Sequence, residues 1–284
     1  MKPQWLKIQL KREEKFDKID ETLKRHNLHT VCQEAHCPNI SECWNSGTAT
    51  FMVMGDTCTR GCRFCAVKTG RPLALDKDEP RNLALAVKEW GLDYIVITSV
   101  DRDDLPDQGA NHFAACIREV RKENPNIMIE VLIPDFRGDE DCIRTIVEAK
   151  PDVFAHNIET VRRLQSVRDI RANYQQSLFV LKKAKDLGIK YTKSSIMLGL
   201  GETDEEIIEA MQDLRAIGVD IITFGQYLRP SQKHIQITEY VHPEKFEYYK
   251  KLAEEIGFLY CASGPFVRSS YRAGEFFIRS VLKK

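Results

Sequence analysis

Six apolar runs, at residues 51–54, 94–98, 127–133, 152–156, 190–200 and 219–224, alternate for the most part with stretches of helical periodicity. Those stretches are roughly 10–15 residues long, the length that carries a chain from one parallel strand to the next. Their ends are punctuated: one helix closes near Trp90-Gly91, 111–123 is stopped by Asn124-Pro125, and 139–149 by Lys150-Pro151. Residues 174–187 stop at Gly188, Thr203-Asp204-Glu205-Glu206 opens a helix through Ile217-Gly218, and 243–256 forms the last helix. Six such units are fewer than the eight of a closed barrel, so the expected architecture is α/β with an open, partial (β/α)6 barrel. A doubly wound sheet is the alternative. Polar residues at the strand ends (Thr98, Ser99, Asn157, Glu159, Lys193 and Gln226) then share the face where such folds bind ligands.

Composition narrows the class of partner. Lys plus Arg and Asp plus Glu are both 42 in 284 residues, so no global field points to nucleic acid. The lysines of Lys182-Lys183-Ala184-Lys185 read as a solvated helix face, and Arg268, Arg272 and Arg279 as a local basic group near the C-terminus. No stretch approaches the ~18 apolar residues of a membrane helix. The first residues lack the apolar core of a secretory signal, so a cytoplasmic location is expected. Residues 6–27, with Leu10, Phe16, Ile19 and Leu23 at near-helical spacing, predict one or two amphipathic helices.

Six of the nine cysteines crowd into residues 32–65. Without an export signal, that crowding argues for metal ligation in a reducing compartment rather than disulfides. Cys58, Cys62 and Cys65 are spaced C-x3-C-x2-C directly after the first apolar run; Cys32, Cys37 and Cys43 are spaced C-x4-C-x5-C before it. Soft thiolates select Fe–S, Zn or Cu(I). Structural zinc sites use short pairs that reach four ligands, which two separate triplets fit poorly. Two four-iron clusters, each held by three cysteines and a variable fourth ligand, fit better. Cys116, Cys142 and Cys261 read as inert core thiols. The Gly199-Leu200-Gly201 turn lacks the lysine of a phosphate-binding loop and reads as a tight strand–helix turn.

The C-x3-C-x2-C loop, with Phe64 before its last cysteine, resembles the signature of radical S-adenosylmethionine enzymes. With the upstream triplet and Arg268-Ser269-Ser270-Tyr271, the chain closely resembles the lipoyl synthase family. The resemblance runs nearly full length, through Val100-Asp101-Arg102-Asp103-Asp104-Leu105-Pro106-Asp107, His156-Asn157-Ile158-Glu159-Thr160-Val161, Leu198-Gly199-Leu200-Gly201-Glu202-Thr203 and Gly225-Gln226-Tyr227-Leu228. It departs at Lys193-Ser194-Ser195, where the family usually has Lys-Ser-Gly, a glycine that would permit φ > 0 or a close approach.

The resemblance implies a radical S-adenosylmethionine partial barrel over 51–240. An extension over 1–50 would carry the auxiliary cysteines, and one over 241–284 the Arg-Ser-Ser-Tyr motif. It implies that Cys58, Cys62 and Cys65 hold a catalytic [4Fe–4S] cluster, whose open iron binds S-adenosylmethionine. Cys32, Cys37 and Cys43 would hold an auxiliary [4Fe–4S] cluster with Ser270 as fourth ligand. Thr98, Ser99, Asn157, Glu159, Arg171 and Lys193 are the candidates for contacts to the cofactor; Asp101, Arg102 and Asp104 would form a rigid salt-bridge loop. The implied reaction inserts sulfur, drawn from the auxiliary cluster, at C6 and C8 of an octanoyl chain on a lipoyl carrier domain. Unactivated C–H bonds are beyond any side-chain base, so radical chemistry falls to the cofactor. Implied partners are the octanoylated carrier (glycine cleavage H protein or a 2-oxoacid dehydrogenase E2), an electron donor such as flavodoxin or ferredoxin, and an iron–sulfur cluster carrier. No nucleic acid or membrane partner is implied. The residues themselves leave open a radical enzyme acting on another substrate, and a non-catalytic iron–sulfur or zinc protein.

Overall fold

A computed structural model describes residues 3–6, 13–45 and 49–270. Leu10, Tyr271, Arg272 and Arg279 lie outside the described residues. The strands in chain order are β1 (His29–Thr30), β2 (Thr50–Val53), β3 (Thr57–Cys58), β4 (Lys68–Thr69), β5 (Tyr94–Ser99), β6 (Met128–Leu132), β7 (Val153–Ala155), β8 (Tyr191–Leu198), β9 (Ile221–Gln226) and β10 (Tyr260–Gly264). The helices are α1 (Glu14–Arg25), α2 (Val31–Glu34), α3 (Ile40–Asn45), α4 (Glu79–Trp90), α5 (Ala110–Glu123), α6 (Glu140–Glu148), α7 (Tyr174–Asp186), α8 (Asp204–Ala216) and α9 (Pro243–Ile256). One eight-stranded sheet runs β1-β2-β5-β6-β7-β8-β9-β10, and β3 and β4 form a separate parallel pair.

Strands β2 and β5 to β10 are mutually parallel, and β1 is antiparallel to β2. The six expected βα units are all present. A seventh parallel strand, β10, extends the sheet beyond the six runs read from sequence, and the barrel stays open. Of the expected N-terminal helix, α1 occupies the described part, burying Phe16, Ile19 and Leu23.

Two faces follow from the two-residue side-chain period of a strand. Ile95, Ile97, Ile129, Val131 and Phe154 turn outward into a core with Leu83, Phe113, Ile117 and Ile143 of the covering helices. Ile196, Leu198, Ile222 and Phe224 do the same against Leu181, Ile207, Met211 and Phe246. The opposite face holds Thr98, Leu132, Ala155, Lys193 and Ile221, in register with one another. Tyr94, Met128, Val153, Tyr191, Ile221 and Tyr260 form a separate small apolar cluster at the N-terminal end of this face, a floor beneath the polar residues.

The loops that carry the motifs are fixed by local chemistry. Thr203 and Glu206 form the expected reciprocal capping box on α8. At Gly199 φ is +97°, and a Cβ there would lie 2.3 Å from Gln226 Nε2 and 2.4 Å from the Glu239 carbonyl oxygen, so the strand–helix turn requires glycine. Ser195 carries no such demand: it lies inside β8, its Oγ accepting from Thr223 Oγ1 at 2.8 Å.

Candidate active site and auxiliary metal centre

The strand β2 leaves the sheet through two left-handed residues, Met54 (φ 71°) and Gly55 (φ 90°). A non-glycine residue in that region needs support. Glu79 supplies it: its carboxylate accepts the Met54 N–H at 2.9 and 3.1 Å and lies 2.6 Å from His112 Nε2. Glu79, His112 and Cys116 bring three potential metal-ligand atoms together, but the carboxylate is already occupied by the turn it anchors. The chain then forms a closed loop, in which Gly70 N–H donates to Cys58 O at 2.9 Å and Thr69 Oγ1 to Arg60 O at 3.0 Å.

Cys58, Cys62 and Cys65 lie close enough in this loop to act on one another's charge. Backbone donors are aimed at the sulfurs. Cys58 Sγ accepts from Asp101 N–H at 3.3 Å and Arg60 N–H at 3.4 Å, and Cys62 Sγ accepts from Asp169 N–H at 3.3 Å. Burial pushes the Cys58 and Cys62 thiols up to about 12 and Cys65 up to about 11. Lone thiolates are therefore costly here, whereas a cationic metal core would draw them out. Three buried soft donors with N–H···S bonds suit an iron–sulfur cluster.

A buried ionic scaffold holds this loop. Arg60 pairs with Asp101 at 3.2 Å, Asp103 at 2.9 Å and Asp135 at 2.7 Å. Asp103 also receives Arg137 at 2.7 Å and Arg171 at 3.3 Å. Burial pushes Asp101, which faces Cys58 Sγ at 3.6 Å, up to about 6 against the pull of Arg60. Arg102 pairs with Asp104 at 2.8 Å, as the loop reading expected, but Asp101 turns to Arg60.

The strand-end candidates gather on the same side. Glu159 stands in left-handed backbone (φ 67°), bridges to Ile196 of β8, and lies near enough to act on the Cys62 and Cys65 thiols. Burial raises its pKa, and its carboxylate accepts from Asn157 Nδ2 at 3.2 Å. Ser99 Oγ and Asn157 Oδ1 are buried without a hydrogen-bond partner, an arrangement that suits a polar ligand. Thr98 Oγ1 donates to Leu132 O at 2.9 Å. The two cations are already engaged: Lys193 Nζ sits 2.8 Å from Glu130, and Arg171 Nε 2.7 Å from Asp169.

His156 is a buried structural imidazole. Arg168 donates to Ser177 Oγ at 2.8 Å, Ser177 donates to His156 Nε2 at 2.9 Å, and His156 Nδ1–H donates to Ile133 O at 2.9 Å. That chain fits the neutral ring, and burial pushes its pKa from 6.5 down to about 4. Between those values the unfolded chain takes up a proton that the folded chain refuses, so stability falls as pH is lowered through the window. The loss should be on the order of 3 kcal/mol. Urea midpoints of wild type and His156→Asn at pH 7 and 4.5 check this; parallel behaviour of the two chains would refute it.

The second triplet lies on α2, α3 and the turn between them. Cys32, Cys37 and Cys43 are brought to the seam between the first strands and β10, where residues 265–270 cross. Asn39 Nδ2 donates to Phe266 O at 2.6 Å, and Thr50 Oγ1 donates to Ser270 Oγ at 2.8 Å. Thr50 also stands beside the Cys32 sulfur, near enough to favour its charged form, so one residue neighbours both Cys32 and Ser270. The indole N–H of fully buried Trp44 has no conventional acceptor and lies beside Cys32. Arg268 is half-buried with no carboxylate partner among the described residues; burial lowers its pKa, opposed by the nearby Cys37. It is thus part of this centre rather than of a surface basic group. Burial pushes Cys32 up to about 11 and raises Cys37. This donor set also suits a metal cluster, with soft sulfur, an orphaned donor and an unpaired cation around it.

Gly225 fixes the crossing segment. A Cβ there would lie 2.0 Å from the Val267 carbonyl oxygen. Gly225→Ala should push residues 265–270 away from the triplet and lower the iron bound on anaerobic reconstitution by about half. Iron analysis of the reconstituted wild type and variant checks this; equal iron in the two would contradict it.

The chain matches the family model of the radical SAM superfamily over residues 52–214, and that of the N-terminal domain of lipoyl synthase over residues 1–37. It is 57% identical over 289 residues to a lipoyl synthase of Halobacterium salinarum, covering 100% of this chain and 93% of the relative. The chain belongs to the lipoyl synthase family. A chloroplastic lipoyl synthase of Populus trichocarpa is 60% identical over 292 residues, covering 100% and 77% of the two chains. A mitochondrial one of Culex quinquefasciatus is 57% identical over 289 residues, covering 99% and 76%. Among solved structures, methylornithine synthase aligns with a TM-score of 0.58 at 13% identity, covering 89% of this chain and 79% of the other. The FeFe-hydrogenase maturase HydG of Carboxydothermus hydrogenoformans aligns at 0.57 and 14%, covering 94% and 78%. These two share the fold.

Sequence reasoning singled out the cysteines by spacing and the serine by resemblance. It missed Arg60, Thr50, Trp44 and the Glu79–His112 anchor, because their partners are remote in sequence. Cys116, Cys142 and Cys261 are buried, as expected of core thiols. The lysines of α7 are a surface face, Lys182 paired with Asp186, Lys183 with Glu140 and Lys185 with Asp220. No helix among the described residues is long and apolar enough to cross a membrane.

Proposed function

We propose that this chain inserts two sulfur atoms, at C6 and C8, into an octanoyl chain borne by a lysine of a lipoyl carrier domain. The observation that carries the proposal is Thr50, whose hydroxyl bonds Ser270 at 2.8 Å while the same residue stands beside Cys32. It supports a second centre of three thiolates and one serine oxygen at the open seam of the barrel, beside the polar inner face. In this proposal Cys58, Cys62 and Cys65 hold one [4Fe–4S] cluster, and Cys32, Cys37, Cys43 and Ser270 hold the other. When bound, the first cluster with S-adenosylmethionine supplies the radical chemistry that removes hydrogen, and the second supplies sulfur.

The chain's own residues position and shield. N–H donors from Arg60, Asp101 and Asp169 orient the thiolates of the first loop. Ser99, Asn157 and Glu159 offer unfilled or weakly filled polar atoms to the cofactor, with Thr98 beside them. Arg171 and Lys193 serve an anionic ligand only in part, since each already has a carboxylate partner. The apolar floor of Tyr94, Met128, Tyr191 and Tyr260 keeps water from the inner face. Ser270, a hard oxygen among soft sulfurs, is the ligand most readily released as the centre gives up its sulfur.

The reading includes the octanoylated H protein or E2 domain as substrate, a flavodoxin or ferredoxin as reductant, a cluster carrier for rebuilding, and the cytoplasm as compartment. Anaerobic reconstitution should give about eight iron and eight sulfide per chain. With dithionite, S-adenosylmethionine and octanoylated carrier, 5′-deoxyadenosine and lipoyl product should both form. Bound zinc without sulfide, or no 5′-deoxyadenosine, would defeat the proposal.

A further inference from the structure

Left-handed backbone at residues that carry a Cβ gathers at one end of the sheet. Met54 follows β2, Gln108 (φ 50°) lies in the loop after β5, Phe136 (φ 44°) and Arg137 (φ 49°) follow β6, and Glu159 follows β7. Such backbone is costly and persists where its surroundings over-determine it, most often beside functional sites. Met54 and Glu159 belong to the site already described. Phe136 and Arg137 are the one place among the described residues where two left-handed residues other than glycine adjoin.

The turn is tied from several directions. Asp135 Oδ1 accepts the Arg137 N–H at 3.0 Å, and Asp135 O accepts the Gly138 N–H at 2.8 Å. Phe136 O accepts the Asp139 N–H at 2.8 Å and Gln108 Nε2 at 2.9 Å, and the Phe136 ring is fully buried. What the turn presents is two charged groups aimed at the loop of Cys58, Cys62 and Cys65. Asp135 meets Arg60 at 2.7 Å, and Arg137 Nε donates to Asp103 Oδ1 at 2.7 Å. Asp103 Oδ2 in turn accepts from Thr59 Oγ1 at 2.7 Å and from Arg60 Nε at 2.9 Å. Charge balance does not account for Arg137, because Asp103 already has Arg60 and Arg171. The left-handed turn adds position: it puts a planar fork on Asp103 Oδ1, where Arg60 would otherwise be alone.

We propose that Arg137 is a positioning residue for the first cysteine loop. Acting through Asp103, it fixes Thr59 and Arg60, and with them the Arg60 N–H that donates to Cys58 Sγ at 3.4 Å. The proposal rests on the reading that Cys58, Cys62 and Cys65 hold a redox cluster. An N–H donor on a ligand sulfur and a nearby cation both favour the more negative, reduced form. Loss of Arg137 therefore loosens the loop and makes the centre harder to reduce. The strain at residues 136–137 is the cost of aiming the guanidinium inward at Asp103 rather than leaving it in water.

The test uses the full chain and its variants Arg137→Gly and Arg137→Lys. Glycine takes the left-handed conformation freely, so Arg137→Gly keeps the turn and removes only the fork. In the metal-free chain, hydrogen exchange over residues 57–66 should quicken about fivefold in Arg137→Gly. Its melting temperature should stay within about 3 °C of wild type, which a merely structural role would not allow. After anaerobic reconstitution, the centre whose electron-spin signal responds to S-adenosylmethionine should titrate at a lower potential. The dithionite-driven rate of 5′-deoxyadenosine formation should fall about tenfold, with KM for the octanoylated carrier unchanged. Arg137→Lys, which keeps the charge but not the fork, should lie between the two in both arms. Unchanged exchange in the loop, an unchanged potential, or a loss confined to KM for the carrier would each overturn the proposal. A wild-type chain that binds no iron would count against the cluster reading, while the exchange arm still decides whether Arg137 restrains the loop.

Discussion

A chain carrying Cys37→Ala will still cleave S-adenosylmethionine but will form no lipoyl product. The two cysteine triplets lie on opposite sides of β2 in the chain, and each is held by its own contacts. The first is braced by Arg60, Asp101 and Asp169; the second by Thr50, Asn39 and the segment that ends at Ser270. Loss of one ligand of the second centre therefore leaves the first intact. The expected loss of product exceeds the roughly 10–100-fold cost of removing a mere outer-sphere partner of a metal ligand. 5′-Deoxyadenosine should persist, and bound iron should drop to about four per chain. Chromatography of both products with iron analysis reads the split. Parallel loss of 5′-deoxyadenosine and product would mean that the two centres are not independent.

Arg60→Met is expected to have the largest effect on stability. The guanidinium is 5% exposed and meets three carboxylates, two of them, on Asp103 and Asp135, almost wholly buried. Removing the cation leaves those charges facing one another in a poorly solvated site. Breaking a buried ion pair from one side costs about 3–5 kcal/mol, which in a chain of this size lowers the melting temperature by on the order of 10 °C. Arg137 and Arg171 still reach Asp103, so Asp135 bears most of the loss. Adding Asp135→Asn should therefore recover part of it. Thermal unfolding of the single and double variants checks the account, and a double variant no better than the single would refute this distribution of charge.

The parallel repeat was legible because its strands are continuous apolar runs and its helices end at Gly, Pro or a capping box. Helix α9 matches its expected bounds, and α4 ends at Trp90 as read. Strand β10 escaped notice because Tyr260-Cys261-Ala262-Ser263-Gly264 is short and rich in small residues. Its strand character comes from pairing with β9, a tertiary fact. Strand β1, two residues long, carries too little pattern to read.

The site divides in the same way. The cysteines proposed as ligands are close in sequence, and their spacing is itself the signal. Thr50 and Ser270 are 220 residues apart, and Arg60 and Asp103 are 43 apart, so no local pattern announces either contact. The positions of Lys193 and Arg171 at strand and loop ends were legible, but not the carboxylates that occupy them. Glu130 lies in the middle of β6, where an apolar residue is the ordinary expectation.

The central claim is that the centre beside Thr50 and Ser270 is the source of the inserted sulfur. The most direct test reconstitutes the chain with heavy-isotope sulfide, removes the excess, and measures the mass of the product from an octanoyl-lysine peptide. Both inserted atoms should carry the label, and Cys32→Ala, Cys37→Ala or Cys43→Ala should abolish the labelled product while 5′-deoxyadenosine still forms. Product containing only unlabelled sulfur, or labelled product from those variants, would contradict the account.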